Sequence, residues 1–275
     1  MPEGPETKRM VDGISRSLVN KKIEYFKFSH PAVNTLNKLS NILIKDVLSK
    51  GKAVIIRLDN GKSIITHNQL YGKWTFNRLS TKIKTNRQRR IEFKTKSKVV
   101  RLWSATDITL LETNREKEHP YLNRLGPDVL DKRTDYNVIM GKLLEQGFYK
   151  RRLVGILLDQ SAIAGIGNYL RTEILFHAQV NHLSRPCDLN KKSIDILSKA
   201  IKDVSCRAYV QKGKTLDYDF LEHEFGNQKN FNRIRHMAFN RAGLPCFLCG
   251  TLIIKLTISS RRLYLCPTCQ SWEPV

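Results

Sequence analysis

The sequence predicts an α+β protein: a β-rich N-terminal part with one early helix, a helical second part, and a small cysteine-bearing ribbon at the end. Three observations lead there. The runs Ala53–Leu58 and Lys62–His67 are strand-like and flank Asp59-Asn60-Gly61, a tight-hairpin signal. From about residue 136 the apolar spacing turns helical. Near the C-terminus, Cys246-x2-Cys249 and Cys266-x2-Cys269 stand sixteen residues apart.

Pro5 to Leu18 reads as a helix, with Met10, Val11, Ile14 and Leu18 on one stripe. Pro5 suits its first turn, where a missing amide hydrogen costs nothing. Residues 2–4 then sit at a positively polarised helix start, a good place for an anion. Beyond the hairpin, Ile91–Phe93, Val99–Trp103 and Ile108–Leu111 continue the strand pattern, so residues 1–113 form one expected domain. Residues 114–135, with His119-Pro120 and Gly126-Pro127-Asp128, read as a linker. A helical domain is expected over 136–240. It holds Leu153–Asp159, the turn Gly165-Ile166-Gly167-Asn168, a helix over Tyr169–His177, and another from about Leu189 to Val210. Residues 241–275 form the ribbon, a hairpin of Leu252–Ile258 and Leu263–Leu265 turning at Ser259 to Arg262. Residues 211–236 are long and basic and fit no assignable pattern.

Charge narrows the partner. Lys and Arg outnumber Asp and Glu by 48 to 25, for a formal charge of +23. Such a surplus repels itself unless it meets a polyanion, nucleic acid or an anionic membrane. Composition alone does not choose between DNA, RNA and lipid. The charge is concentrated between Lys73 and Arg101, where eleven Lys/Arg accompany one acid, Glu92; such a run is also what a solvated face looks like. No apolar run approaches the roughly 18 residues of a membrane span, and the first residues lack an apolar signal region. An intracellular, monomeric protein is expected: cytoplasmic or nucleoid-associated in a bacterium, in a host-cell compartment if viral.

Two thiolate knuckles at the observed separation can place four sulfurs around Zn²⁺ at about 2.3 Å. Disulfides or unrelated buried thiols are the alternatives, and an intracellular chain disfavours the first. A closed four-sulfur site leaves no position for water, so one structural zinc on Cys246, Cys249, Cys266 and Cys269 is expected. Cys187 and Cys206 stand alone as small core residues. Glycines in Gly165-Ile166-Gly167-Asn168 let the backbone approach a ligand, and the following helix start offers free amide hydrogens, so this turn is a phosphate site or simply a turn.

Five separated segments resemble the formamidopyrimidine-DNA glycosylase/endonuclease VIII family. They are Pro2-Glu-Gly-Pro-Glu6, Gly51-Lys52, His67-Asn-Gln-Leu-Tyr-Gly72, Leu157-Leu-Asp-Gln160 with Gly165-Ile-Gly-Asn-Tyr-Leu-Arg-Thr-Glu173, and the ribbon ending Ser260-Arg261 and Cys266-Pro-Thr-Cys-Gln270. The resemblance implies an N-terminal β-sandwich bordered by helices, a helix-two-turn-helix domain and a zinc finger, with damaged DNA lying between the domains. It implies that Pro2, freed by removal of Met1, is the nucleophile. Glu3 is then the general acid/base, Lys52 binds phosphate and assists β-elimination, and Arg261 grips phosphate and assists δ-elimination. Arg124 and Asn168 match DNA-contacting positions. Glu6 and Glu173 match acidic family positions of supporting rank; for Glu6 a helix-dipole acid is an equal reading.

Enzymes that take a nucleotide out of the stack must fill the gap. Gln69-Leu70-Tyr71 resembles the void-filling loop of the endonuclease VIII branch, whereas a buried sandwich edge would fit Leu70 alone. The stretch Ser104–Ile108 lacks the Arg-x-Phe wedge of the 8-oxoguanine branch. The expected substrates are therefore oxidised pyrimidines, such as thymine glycol and dihydrouracil, and abasic sites. An 8-oxoguanine-directed enzyme of the same fold and a non-catalytic DNA- or RNA-binding zinc-ribbon protein are the alternatives.

Overall fold

A computed structural model describes residues 2–217, 219 and 234–271. Most of the unassigned 211–236 stretch, residues 218 and 220–233, therefore lies outside the described residues. The chain divides into two compact units, Met1–Arg124 and Leu125–Val275. The boundary falls inside the stretch read from sequence as a linker.

The first unit starts with helix α1 (Gly4–Leu18), followed by strands β1 (Tyr25–Phe28), β2 (Ile44–Lys50), β3 (Ala53–Leu58), β4 (Lys62–His67), β5 (Lys73–Arg78), β6 (Arg89–Lys94), β7 (Lys98–Trp103) and β8 (Asp107–Glu112). They form two antiparallel sheets, ordered β2-β3-β4-β8 and β1-β6-β7-β5. Val47, Val54, Ile56, Ile64 and Ile108 of the first sheet share one core with Phe28, Ile91, Phe93, Val100 and Leu102 of the second. This is a β-sandwich. The apolar stripe of α1 joins the same core through Val11, Ile14 and Leu18. The outer face of the first sheet, Ala53, Ile55 and Ile65, is covered by Tyr121 and Leu122 of helix α2 (Pro120–Asn123). Glu116 secures that return: it takes two hydrogen bonds from Arg57, at 2.8 and 2.7 Å, and one from Ser63 at 2.6 Å.

The second unit contains helices α3 (Tyr136–Leu144), α4 (Gln146–Tyr149), α5 (Leu153–Ile156), α6 (Asn168–His177) and α7 (Lys191–Val210), then the hairpin β9 (Ile254–Ile258) and β10 (Arg261–Leu265). Ile194, Leu197, Ile201 and Val204 point inward as their spacing predicts, and Leu263 and Leu265 extend that core into the ribbon. The hairpin turn is tighter than expected. Ser259 and Ser260 alone form it, both at positive φ of 48° and 60°, and Arg261 already pairs with Ile258 as the first residue of β10. Two residues with positive φ match the twist of the flanking strands, so no longer turn is required. Among the described residues no helix is long and apolar enough to cross a membrane.

Candidate active-site and nucleic-acid-binding residues

In the first unit, strand register gathers the candidate residues at one end of the first sheet. Gly51, at φ 57°, and Lys52 make the turn between β2 and β3. Ala53 pairs with His67, so Lys52 lies beside the start of the His67–Gly72 loop. Helix α1 reaches the same end. Val19, which follows it, bridges to Ile44 at the start of β2. Fifteen helical residues span about 22 Å, close to the roughly 23 Å of a seven-residue strand. The helix packs along β2, which brings its start toward Lys52. Asn68 of the loop donates to Met10 Sδ at 3.4 Å, holding the N-terminal half of α1 there.

At that helix start, Pro2 is half-buried and Glu3 is 6% exposed, while Lys52 is 8% exposed. Glu6 accepts from the Glu3 backbone amide at 3.2 Å and pairs with Arg9 at 2.8 Å, so its carboxylate caps the helix that carries Pro2 and Glu3. The Lys52 amide donates to the Tyr121 hydroxyl at 3.0 Å. The Tyr121 ring lies 5.0 Å from the His67 ring and under the Arg124 guanidinium at 5.5 Å. Burial pushes the His67 pKa below its ordinary value, and the charges of Lys52 and Arg124 add to this against the opposing pull of Asp107. The shift favours the neutral imidazole among these cations.

Gln69-Leu70-Tyr71 projects from this end. Leu70 is 72% and Tyr71 70% exposed, which rules out a buried sandwich edge. The base of the loop is fixed on both sides. Gln69 takes positive φ, its amide donates to His67 Nδ1 at 3.2 Å, and its side chain donates to Asp107 at 3.3 Å. The Gly72 amide donates to the Asn68 carbonyl at 2.7 Å, and a Cβ at Gly72 would come within 2.6 Å of that oxygen. Arg87 donates to the Tyr71 carbonyl. Two exposed apolar side chains on a pinned loop make a rigid projection. The connection between β7 and β8 is only Ser104–Thr106, too short to supply a second one.

In the second unit the glycine turn is held from within. Gly165 sits at φ 100°. Gln160 accepts from the Gly165 amide at 3.0 Å and donates to the Ile166 carbonyl at 2.9 Å. Asn168, half-buried, opens α6, and its Oδ1 accepts from Arg171 at 2.8 Å. A guanidinium only donates, so the oxygen of Asn168 must face it and the amide NH₂ is left as a donor. Arg171 itself is 1% exposed and also donates to the Val154 carbonyl at 3.3 Å and the Arg262 carbonyl at 3.0 Å. It thereby links the helix start to the strand carrying Arg261, whose own side chain is exposed. Sequence reasoning did not single out Arg171 or Gln160.

Glu173 is fully buried, so it touches no macromolecular ligand. Its carboxylate accepts from Thr215 at 2.6 Å and from the amides of Met237, Ala238 and Phe239 at 2.7, 2.8 and 2.7 Å. It pins the chain leading into the ribbon onto α6. Burial alone would raise its pKa; the neighbouring His236 and His177, with the hydrogen bonds, bring it below the usual carboxylate range.

The four ribbon cysteines converge, with all sulfurs within 4.8 Å of one another. Cys246 and Cys269 are 3.9 Å apart and Cys249 and Cys266 3.4 Å. A tetrahedron with 2.3 Å metal–sulfur bonds has edges of about 3.8 Å, so the cluster fits one metal ion. Amides of Leu248 and Cys269 donate to Cys246 and Cys266 sulfurs at 3.4 Å each, contacts that favour thiolates.

Residues 1–108 match the formamidopyrimidine-DNA glycosylase N-terminal domain, and residues 125–219 match the formamidopyrimidine-DNA glycosylase H2TH domain. The chain belongs to the formamidopyrimidine-DNA glycosylase family. It is 35% identical over 271 residues to proteins named Endonuclease 8 from Escherichia coli and Shigella sonnei, covering 98% of this chain and 100% of each of those. Its fold is that of Lactococcus lactis Fpg (MutM) non-covalently bound to AP-site DNA, with a TM-score of 0.79 at 19% identity over 98% of this chain and 100% of that one. MutM in complex with DNA containing carbocyclic 8-oxo-G superposes with a TM-score of 0.78 at 20% identity, over 98% and 100% of the two chains. This member of the family is a DNA glycosylase and abasic-site lyase of base excision repair.

Proposed function

We propose that this glycosylase excises oxidised pyrimidines, such as thymine glycol and dihydrouracil, acts on abasic sites, and nicks the strand by β,δ-elimination through a Schiff base at Pro2. The observation that carries the reading is the pinned, exposed Gln69-Leu70-Tyr71 projection at the sheet end shared by Lys52 and the start of α1. The name Endonuclease 8 borne by the relatives at 35% identity supports the same branch.

Removal of Met1 turns the Pro2 nitrogen from an amide into a secondary amine. Its pKa then lies near that of α-amino groups, about 8, so a useful fraction is unprotonated near neutral pH. The amine attacks C1′, the bond to the damaged base breaks, and Glu3 protonates the sugar ring oxygen so that the ring opens. An iminium joins Pro2 to C1′. Drawing electrons toward its nitrogen, it permits loss of a C2′ proton with departure of the 3′ phosphate, and then a second elimination that releases the 5′ phosphate. Hydrolysis returns the amine. Lys52 holds phosphate and assists the first elimination, and Arg261 the second. Asn168, its amide oriented by Arg171, and Arg124 bind flanking phosphates, while Gln69, Leu70 and Tyr71 fill the gap left in the stack. Glu6 and Glu173 act through the helix start and the ribbon they brace.

Cys246, Cys249, Cys266 and Cys269 hold one zinc ion, which fixes the hairpin that presents Arg261; four thiolates leave it no reactive position. Chelation is expected to weaken DNA binding and leave the β-sandwich folded, and loss of all structure would contradict this.

Borohydride in the presence of an abasic-site oligonucleotide should trap a covalent adduct with the processed protein. No adduct, or an undiminished one with Pro2→Gly, overturns the mechanism. A panel carrying thymine glycol, dihydrouracil and 8-oxoguanine checks the substrate, and preference for 8-oxoguanine overturns the branch assignment.

A further inference from the structure

The basic run between Lys73 and Arg101 divides into two groups in the structure. Arg89, Lys94 and Arg101 converge on Glu92, 1% exposed, at 2.8, 3.6 and 2.5 Å. These three cations share one carboxylate as their partner within the sheet. Lys84, Arg87 and Arg90 have no ion pair among the described residues. With Tyr71, Thr85, Asn86 and Ser104 they line a cavity of about 760 Å³ that contains no acid.

The cavity has a built wall. The Ser104 amide donates to the Gln88 carbonyl at 2.7 Å, closing the segment before β6 onto the end of β7. The Arg87 amide donates to Thr85 Oγ1 at 3.1 Å, and the Arg87 guanidinium donates to the Tyr71 carbonyl. Arg90 is half-buried, and its Nε is shielded from solvent without a hydrogen-bond partner. A shielded donor on a cation is costly to leave unmet, and an anionic oxygen is the group that satisfies it.

Position identifies the anion. The Gln69-Leu70-Tyr71 loop joins the two sheets. Its Gln69 side is tied to His67 and Asp107 of the first sheet, the side of Lys52. Its Tyr71 side is tied to Arg87, the side of the second sheet. A projection that enters a base stack has the lesion strand on one flank and the complementary strand on the other. We propose that the Lys84–Arg87–Arg90 cavity is a backbone-phosphate subsite for the undamaged strand, locked to the wedge through the Arg87–Tyr71 contact. This rests on reading Gln69-Leu70-Tyr71 as the wedge.

The test compares a duplex containing a tetrahydrofuran abasic analogue with the same lesion strand alone, using processed full-length protein. In the Lys84→Gln/Arg90→Gln variant, duplex affinity should fall roughly tenfold or more. The slope of log affinity against log salt should drop by about two, at about 0.9 per phosphate contact on duplex. The preference for duplex over single strand should fall by a similar factor. Equal losses on both probes would mean that the cavity serves the lesion strand, and no loss on either that it binds no DNA; each overturns the proposal. Lys84→Glu, at an exposed side chain, repeats the comparison without altering β6. Borohydride trapping by the wild type reads the Pro2 chemistry separately, so its failure would not be confused with failure of this subsite.

Discussion

Replacing Arg171 by Met tests whether one buried guanidinium sets both elements of the second unit proposed to grip phosphate. The substitution keeps the aliphatic stem and removes donors to Asn168 Oδ1, the Val154 carbonyl and the Arg262 carbonyl. Each buried acceptor left unmet costs about 1–3 kcal/mol, and relief from burying the charge offsets part of the sum. A net loss of about 2–5 kcal/mol follows, which for a unit of this size lowers Tm by roughly 5–15 °C. Function should suffer separately from stability. Without Arg171 nothing forces the Asn168 amide outward, so one oriented phosphate donor is lost and the salt slope of DNA binding falls by about one. Thermal unfolding, followed by binding titrations on an abasic-analogue duplex well below the variant's Tm, measures both. An unchanged Tm would refute the anchoring. A lowered Tm with unchanged affinity and salt slope would refute the orientation of Asn168 by Arg171.

Glu173→Gln turns an NH₂ group toward amides that already donate, so it should destabilise the second unit by about 3 kcal/mol or more; calorimetry showing a wild-type transition would contradict this. Acid should weaken the fold in two stages. Burial, reinforced by Arg171 and Arg152, pushes the His182 pKa down to about 4, and a depressed histidine leaves the unfolded chain binding more protons below its ordinary 6.5. Stability is thus full above about pH 6.5 and declines toward pH 4, whereas the Glu173 contribution is present above about 4.5 and is lost below it. Urea midpoints across pH 2–8 check the order, and His182→Phe should flatten the first stage. Gly72→Ala forces the wedge loop away from the Asn68 carbonyl, so lesion excision should fall at least tenfold while Tm changes little; equal excision would mean that the loop geometry is not used.

The sandwich interior and the β8 edge were legible in the sequence, and the other three edges were not. β3, β4, β7 and β8 carry the apolar runs that predict them. β1, β2 and β5 were not anticipated, and all three are edge strands in which lysine or arginine interrupts the apolar pattern. Edge strands take such charges because an unpaired edge must not recruit another strand, so the feature that protects the sheet also hides the strand. The four-cysteine cluster was readable from spacing because a site fit for one metal ion imposes it. Arg171 was hidden because an arginine inside a helix looks solvent-exposed until Val154 and Arg262 are seen around it. Its one local signal is the three-residue step back to Asn168, which puts both side chains on one helix face.

Net charge alone does not separate a DNA grip from ordinary solubility, and the distribution of acidic partners bears on the choice. Arg57 is held by Glu116, the Arg89–Lys94–Arg101 group by Glu92, Arg151 by Asp159, and Arg207 by Asp217. Arg124, Arg261, Lys84, Arg87 and Arg90 have no ion pair among the described residues. A solubility surface would intersperse the signs without regard to position. Here several carboxylates hold cations that brace strands and turns, others form exposed local pairs, and on the proposed reading the cations beside the loop Gln69–Tyr71 and on the ribbon hairpin are left for phosphate. On that reading the acids, fewer in number, bear on the proposed DNA path as much as the bases do. Moving one of them, by placing an acid within reach of Arg90 or Arg261, should cost more DNA affinity than adding the same charge elsewhere on the surface.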